Sequence, residues 1–223
     1  MPNIPSVGVF VPNGYLNAGS FAGPSGQQDA YGNNYPSGLT PGKMIMLGTA
    51  EAQAVALPGT TLLDGCYQCV LLDSGATAAL AGQGYALYVK LDSGATQGAV
   101  PMTEWDNMTV TTADQAGSTD LDFFAGIGIN PATYNGISAL PVPGQYCFIF
   151  VGAGRAYTKY TGNATVGNQV VPSGASNGEF TPQAAAPTIY PAGVAMQTTT
   201  AGAGSIGVSQ WSEIFYRVGN QGV

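Results

Sequence analysis

Two copies of one hexapeptide, LDSGAT at 72–77 and again at 91–96, hold the residues of this chain best suited to chemistry. Two aspartates held close share one proton and can activate a water for peptide hydrolysis, because like charges so near cannot both ionise. Asp73 and Asp92 stand 19 residues apart. That gap leaves no room for the half-domain each catalytic aspartate needs. Only one copy could serve, as one half of a homodimeric aspartic protease. The other reading is a turn, with Asp as its side-chain cap and Gly tolerating positive φ. Apolar runs flank both copies, as a hairpin requires. The turn is the better account, and no catalytic residue is expected.

The remaining reactive groups are sparse. Cys66 and Cys69 have the CxxC spacing of redox and zinc sites, but no second CxxC and no histidine completes a ligand set. On a strand, residues i and i+3 point to opposite faces, which also disfavours joint ligation. With Cys147 they make an odd set of three, too few for a disulfide scaffold. Asp114, Asp120 and Asp122 offer oxygen ligands, but their spacing matches no EF-hand loop. The sequons at Asn107 and Asn163 are read as chance. Without histidine there is no ordinary general base near neutral pH, and a Ser-His-Asp triad is impossible. No metal and no cofactor is expected, and the chain is not read as an enzyme.

Charge points the same way. Only 8% of the 223 residues are charged, against about 25% in an ordinary soluble domain, while 45% are hydrophobic. The net charge is −7, and the five cations Lys43, Lys90, Arg155, Lys159 and Arg217 are scattered. Gripping nucleic acid needs many phosphate neutralisers, so no nucleic-acid partner is expected. No polybasic membrane patch and no apolar run of membrane-spanning length is present. The N-terminal stretch lacks the basic and apolar regions of a secretory signal, so synthesis in a reducing cytoplasm is expected. A large neutral surface tends to associate. It is read as one partly hidden by partner subunits.

The elements that must position these groups are short. Residues 1–42 carry six prolines, many glycines and only Asp29 as a charge, with Tyr15, Phe21, Tyr31 and Tyr35 spaced through them. This composition predicts an extended, irregular N-terminal arm that docks on a neighbour. From residue 43 to 223 the chain reads as one domain of turn-punctuated strands. They are expected at 43–47, 66–72, 84–91, 108–112, 123–129, 145–151, 156–161, 169–171, 192–197 and 213–218, all rich in residues that suit a pleated surface. The run 146–151 (YCFIFV) is apolar on both faces and predicts a central strand. One short helix is expected at 49–57, with Thr49 as N-cap. The fold class predicted is all-β, a small β-barrel or β-sandwich.

Residues 123–218 carry a further pattern: FFAGIGI, then NGISALPVPGQYCFIF, then AYTKYTGNATVGNQVVPSG, then PAGVAMQT and IGVSQWSEIFYRV. This order of Gly-ended strands resembles the capsid decoration, or cement, proteins of tailed bacteriophages. Gly126–Ile129 and Gly193–Ala195 match the two strand motifs, and residues 166–171 match the hairpin between them. The resemblance covers under half the chain. It implies a small β-barrel or β-sandwich on the outer capsid surface of the virion, usually a homotrimer, that bridges major capsid protein subunits and stabilises their lattice. The alternatives are the aspartic protease above and a fibre or receptor-binding module.

Overall fold

The computed structural model describes residues 44–56, 59–90, 109–112, 124–173, 178–184 and 193–214. The arm 1–42, Asp92 with the second LDSGAT, the Asp114/Asp120/Asp122 cluster and Asn107 lie outside the described residues. The protein is all-β. The strands are β1 (Met44–Leu47), β2 (Gly65–Leu72), β3 (Ala86–Val89), β4 (Thr109–Thr111), β5 (Phe124–Gly128), β6 (Thr133–Tyr134), β7 (Ile137–Ser138), β8 (Tyr146–Tyr160), β9 (Gln169–Pro172), β10 (Phe180–Gln183), β11 (Gly193–Ala195) and β12 (Ser205–Ile214). One helix, α1 (Thr49–Val55), and a 3-10 turn at Ala78–Ala81 complete the described elements. No helix among the described residues is long and apolar enough to cross a membrane.

Ten of the strands form one sheet, in the order β1-β2-β4-β3-β5-β8-β10-β9-β11-β12, and β2–β8 and β8–β12 pair as well. Those two extra pairings close the hydrogen bonding on itself twice. The first ring is β2-β4-β3-β5-β8, and the second is β8-β10-β9-β11-β12. Closure is what removes exposed sheet edges. The rings share β8, whose Tyr146–Gly152 stretch faces β2 and whose Gly152–Tyr160 stretch faces β12. Two of the closures are slim: β2 meets β4 at Leu71↔Thr109 and Leu72↔Val110, and β10 meets β8 at Phe180↔Tyr160.

Two apolar clusters follow from this closure. One draws Cys66, Val70 and Leu72 from β2, Leu87 and Val89 from β3, Val110 from β4, Ala125 from β5, and Cys147, Ile149 and Val151 from β8. Every strand of the first ring contributes, which makes this cluster the ring's filled interior. The alternate residues of the same strands, Tyr67, Cys69, Tyr88, Phe148 and Phe150, join the second cluster with Ile45, Leu47, Ala52, Val170, Phe180 and Trp211. The outside of the first ring is thus covered by β1 and α1 and by the second ring. Phe124, Phe180 and Trp211 meet there with ring centroids 5.7–6.2 Å apart. Each such buried side chain contributes about 1.5–3 kcal/mol.

The strand predicted at 145–151 is central and buried on both faces, as its composition requires. It does not end there: it continues through 156–160 as the single 15-residue β8. The residues that read as a break, Gly152 and Ala153, have φ of 116° and 49°; just before them the ladder to β2 skips Val151 as a bulge, where the strand passes from one ring to the next. Gly154 follows because a Cβ there would lie 2.2 Å from Asp64 O. β10 and the Ser205–Trp211 part of β12 were not among the predicted strands. The predicted helix forms, but its N-cap is Gly48, whose N–H donates to Glu51 Oε2 at 2.8 Å; Thr49 is the first helical residue.

Candidate functional site

Asp73 follows β2 and begins a tight turn closed by Ala76 N donating to Asp73 O at 3.0 Å. The turn is as predicted, but no hairpin surrounds it, since β4 lies between β2 and β3. The Asp73 side chain accepts a 2.7 Å hydrogen bond from Lys90 Nζ, in a partly buried pair. The carboxylate therefore faces an ammonium group, whereas a dyad would need a second carboxylate.

Cys66 and Cys69 lie on opposite faces of β2, as their spacing predicts: Cys66 enters the interior of the first ring and Cys69 the cluster outside it. Cys147 sits beside Val70 on β8. All three are buried free thiols. Burial raises each thiol above its ordinary value of 9.0, Cys69 to about 12. A protonated buried thiol is a poor nucleophile and a poor metal ligand. Among the described residues no three His, Cys, Asp or Glu side chains gather as a metal site.

The other described cations are also engaged. Arg155 Nε donates to Asp64 Oδ1 at 2.6 Å, and Lys159 bonds the Tyr85 hydroxyl with its ammonium 4.2 Å from that ring's centroid. A cleft lined by Thr61, Leu62, Tyr67, Gln83, Arg155 and Tyr157 has a volume of about 10 Å³, room for a single water.

The feature with most to offer a partner is the outer face of the second ring. Along β12, Gly207, Ser209 and Trp211 point inward and are buried, while Ile206, Val208 and Gln210 point outward. From Ile206 to Ser209 this inverts the usual alternation of apolar-in and polar-out, which Gln210 and Trp211 then resume. At Gly207 the inside has no space for a larger group: a Cβ there would lie 2.7 Å from the Tyr160 ring. Ser209 is needed there as a hydrogen-bond hub, with its Oγ 2.6 Å from Thr158 Oγ1 and 2.8 Å from the Tyr160 hydroxyl.

Neighbouring strands extend the outward apolar row. Val208 pairs with Tyr157 of β8, and Met196 N donates to Val208 O at 2.8 Å. Gly167 N donates to Ala195 O at 2.9 Å, which brings Val166 alongside. Val166 is 59% exposed, Met196 49% and Ile206 47%. The turn that presents Val166 is closed by Asn168, whose Oδ1 accepts from Thr165 N at 2.8 Å.

None of these outward residues stood out in the sequence as a site. The available signal was the period-2 alternation of Gly/Ser with Ile/Val in Ser205–Trp211, which reads as a strand but not as one turned inside out. The chain matches no family model, no curated protein and no solved structure.

Proposed function

We propose that this chain is a structural virion protein: a decoration, or cement, protein that binds the outer surface of a phage capsid and stabilises the lattice of the major capsid protein. The observation that carries this reading is the outward apolar row of Ile206, Val208, Met196 and Val166 on a surface with very few charges. Exposed contiguous apolar surface marks an association site. In this reading the protein is a homo-oligomer, a trimer by the resemblance of residues 123–218, whose partners are its own copies and the major capsid protein. Neither nucleic acid nor membrane takes part.

Such a role requires no catalytic step. A ligand that binds the assembled lattice and not the separated subunits stabilises the lattice by mass action, about 2.7 kcal/mol per site at a hundredfold excess over Kd. Repeated over a lattice, that becomes a large resistance to heat and internal pressure. The test is quantitative mass spectrometry of purified particles. Many copies per particle, in fixed ratio to the major capsid protein, support the reading; its absence from particles, or a few copies at one vertex, refutes it.

A further inference from the structure

β1 is the one strand of the sheet that the ring closures leave with an open edge among the described residues. It pairs with β2 alone, from Met44↔Gln68 to Leu47↔Gly65. Its inner side chains, Ile45 and Leu47, are buried, while Met44 and Met46 are exposed. An edge strand is ordinarily guarded by charge, proline or a bulge. This one reads MIML and carries none of these. An edge that no described strand covers, beside two exposed methionines, is a template for one more strand.

The chain contains a segment that fits. Residues 7–11 read VGVFV, an uncharged, β-branched run fenced by Pro5 and Pro12. Its five residues are enough to span the four-residue β1. Its alternation sets Val7, Val9 and Val11 on one face, for Met44 and Met46, and Gly8 and Phe10 on the other. The prolines, which lack an N–H, would end the pairing at both sides. The other stretches of residues 1–43 are richer in Gly, Asn, Gln and Ser and poorer in β-branched residues.

We propose that residues 7–11 add to the free edge of β1 of their own chain as an extra strand. The 32 residues from 12 to 43 connect the two segments. Extended, they reach roughly 100 Å, far more than the return requires. A tether of this kind holds the segment at an effective concentration on the order of millimolar, which favours the chain's own segment over one from a second copy in dilute solution. Residues 12–43, with Tyr15, Phe21, Tyr31 and Tyr35, then form a loop fixed at both ends. Fixing both ends lowers the entropy cost of docking that loop on a partner. The strand addition itself does not depend on the capsid reading.

The test uses the full chain with Val9→Cys and Met46→Cys and a short bismaleimide. The native thiols are buried and do not compete. The expected product is an internally cross-linked monomer whose yield is independent of protein concentration. A control pair, Val9→Cys with Ile137→Cys on the separate β6–β7 hairpin, is expected to stay open. Cross-linked dimers, no cross-link, or equal reaction of the control pair would each overturn the proposal. Independently, Val9→Pro in the full chain should speed amide exchange at Met44–Leu47 by about tenfold or more while leaving β8 unchanged. Unaltered exchange at β1 also overturns it.

Discussion

Lys90 donates a 2.7 Å hydrogen bond to Asp73, so the residue just before the second LDSGAT neutralises the aspartate of the first. The pair ties the end of β3 to the end of β2 across β4. It gives the first copy of the repeat a structural task at the rim of the first ring. Because the lysine is about a third exposed, the pair belongs with surface ion pairs. Asp73→Asn and Lys90→Met should each lower stability by less than about 1 kcal/mol, with a coupling of about 0.5 kcal/mol in a double-mutant cycle. Urea denaturation of the four proteins measures it. Acid proteolysis abolished by Asp73→Asn would instead revive the protease reading.

The buried hydroxyls of the second ring should behave as a unit. Ser209→Ala strips both Thr158 and Tyr160 of a partner and should cost about 1–3 kcal/mol. Replacing all three, as Thr158→Val, Tyr160→Phe and Ser209→Ala, should cost clearly less than the sum of the single changes. Additive losses would show that the network is not shared.

The buried thiols and Tyr67 set an alkaline limit. Burial raises Cys69 from 9.0 to about 12 and raises Cys147 and Tyr67 further. The folded state holds these protons more tightly than the unfolded chain. Their contribution is therefore complete below about pH 8 and is lost as pH rises past 9 toward 12 and beyond. Each such proton sets a slope of about 1.4 kcal/mol per pH unit. Stability should be flat with respect to these groups from pH 6 to 8 and fall above pH 9, less steeply in Cys69→Ala. A Cys69→Ala profile parallel to that of the unaltered protein would contradict this.

Glycine positions separate sharply by what surrounds them. A Cβ at Gly128 would lie 2.2 Å from Gly82 O and 2.4 Å from Ala81 O, whereas at Gly162 nothing lies within 4 Å. Gly128→Ala should destabilise by about 1–3 kcal/mol or more, and Gly162→Ala should stay within about 0.5 kcal/mol. Thermal melting of the two variants checks the contrast.

The fold was legible where side-chain pattern and burial agree. YCFIFV announced a strand buried on both faces, and β8 is that strand because each of its faces meets a different cluster. The alternation AYTKY announced a strand with one wetter face, and it is the same strand in the second ring. Gly152 and Ala153 hid their continuity, because a bulge and a chain reversal use the same residues. The double closure was out of reach, since it rests on pairings between residues far apart, such as Ala156↔Ser209. The opposite faces of Cys66 and Cys69 followed from spacing alone. The outward row did not, because its apolar residues look like core until the strand's inward face is known to be full.

The central claim is that the outer face of the second ring fastens this protein to a capsid lattice. The most direct measurement is the melting temperature of particles lacking the protein, then with it restored, at low and high salt. Restoration should raise the melting temperature, and moderate salt should not release the protein, because the proposed contact is apolar and not built on screened ion pairs. Met196→Asp with Ile206→Asp should remain folded, since both residues are exposed, and should give no stabilisation. Particles that melt at the same temperature with and without the protein, or a double variant that protects as well as the unaltered chain, would contradict the account.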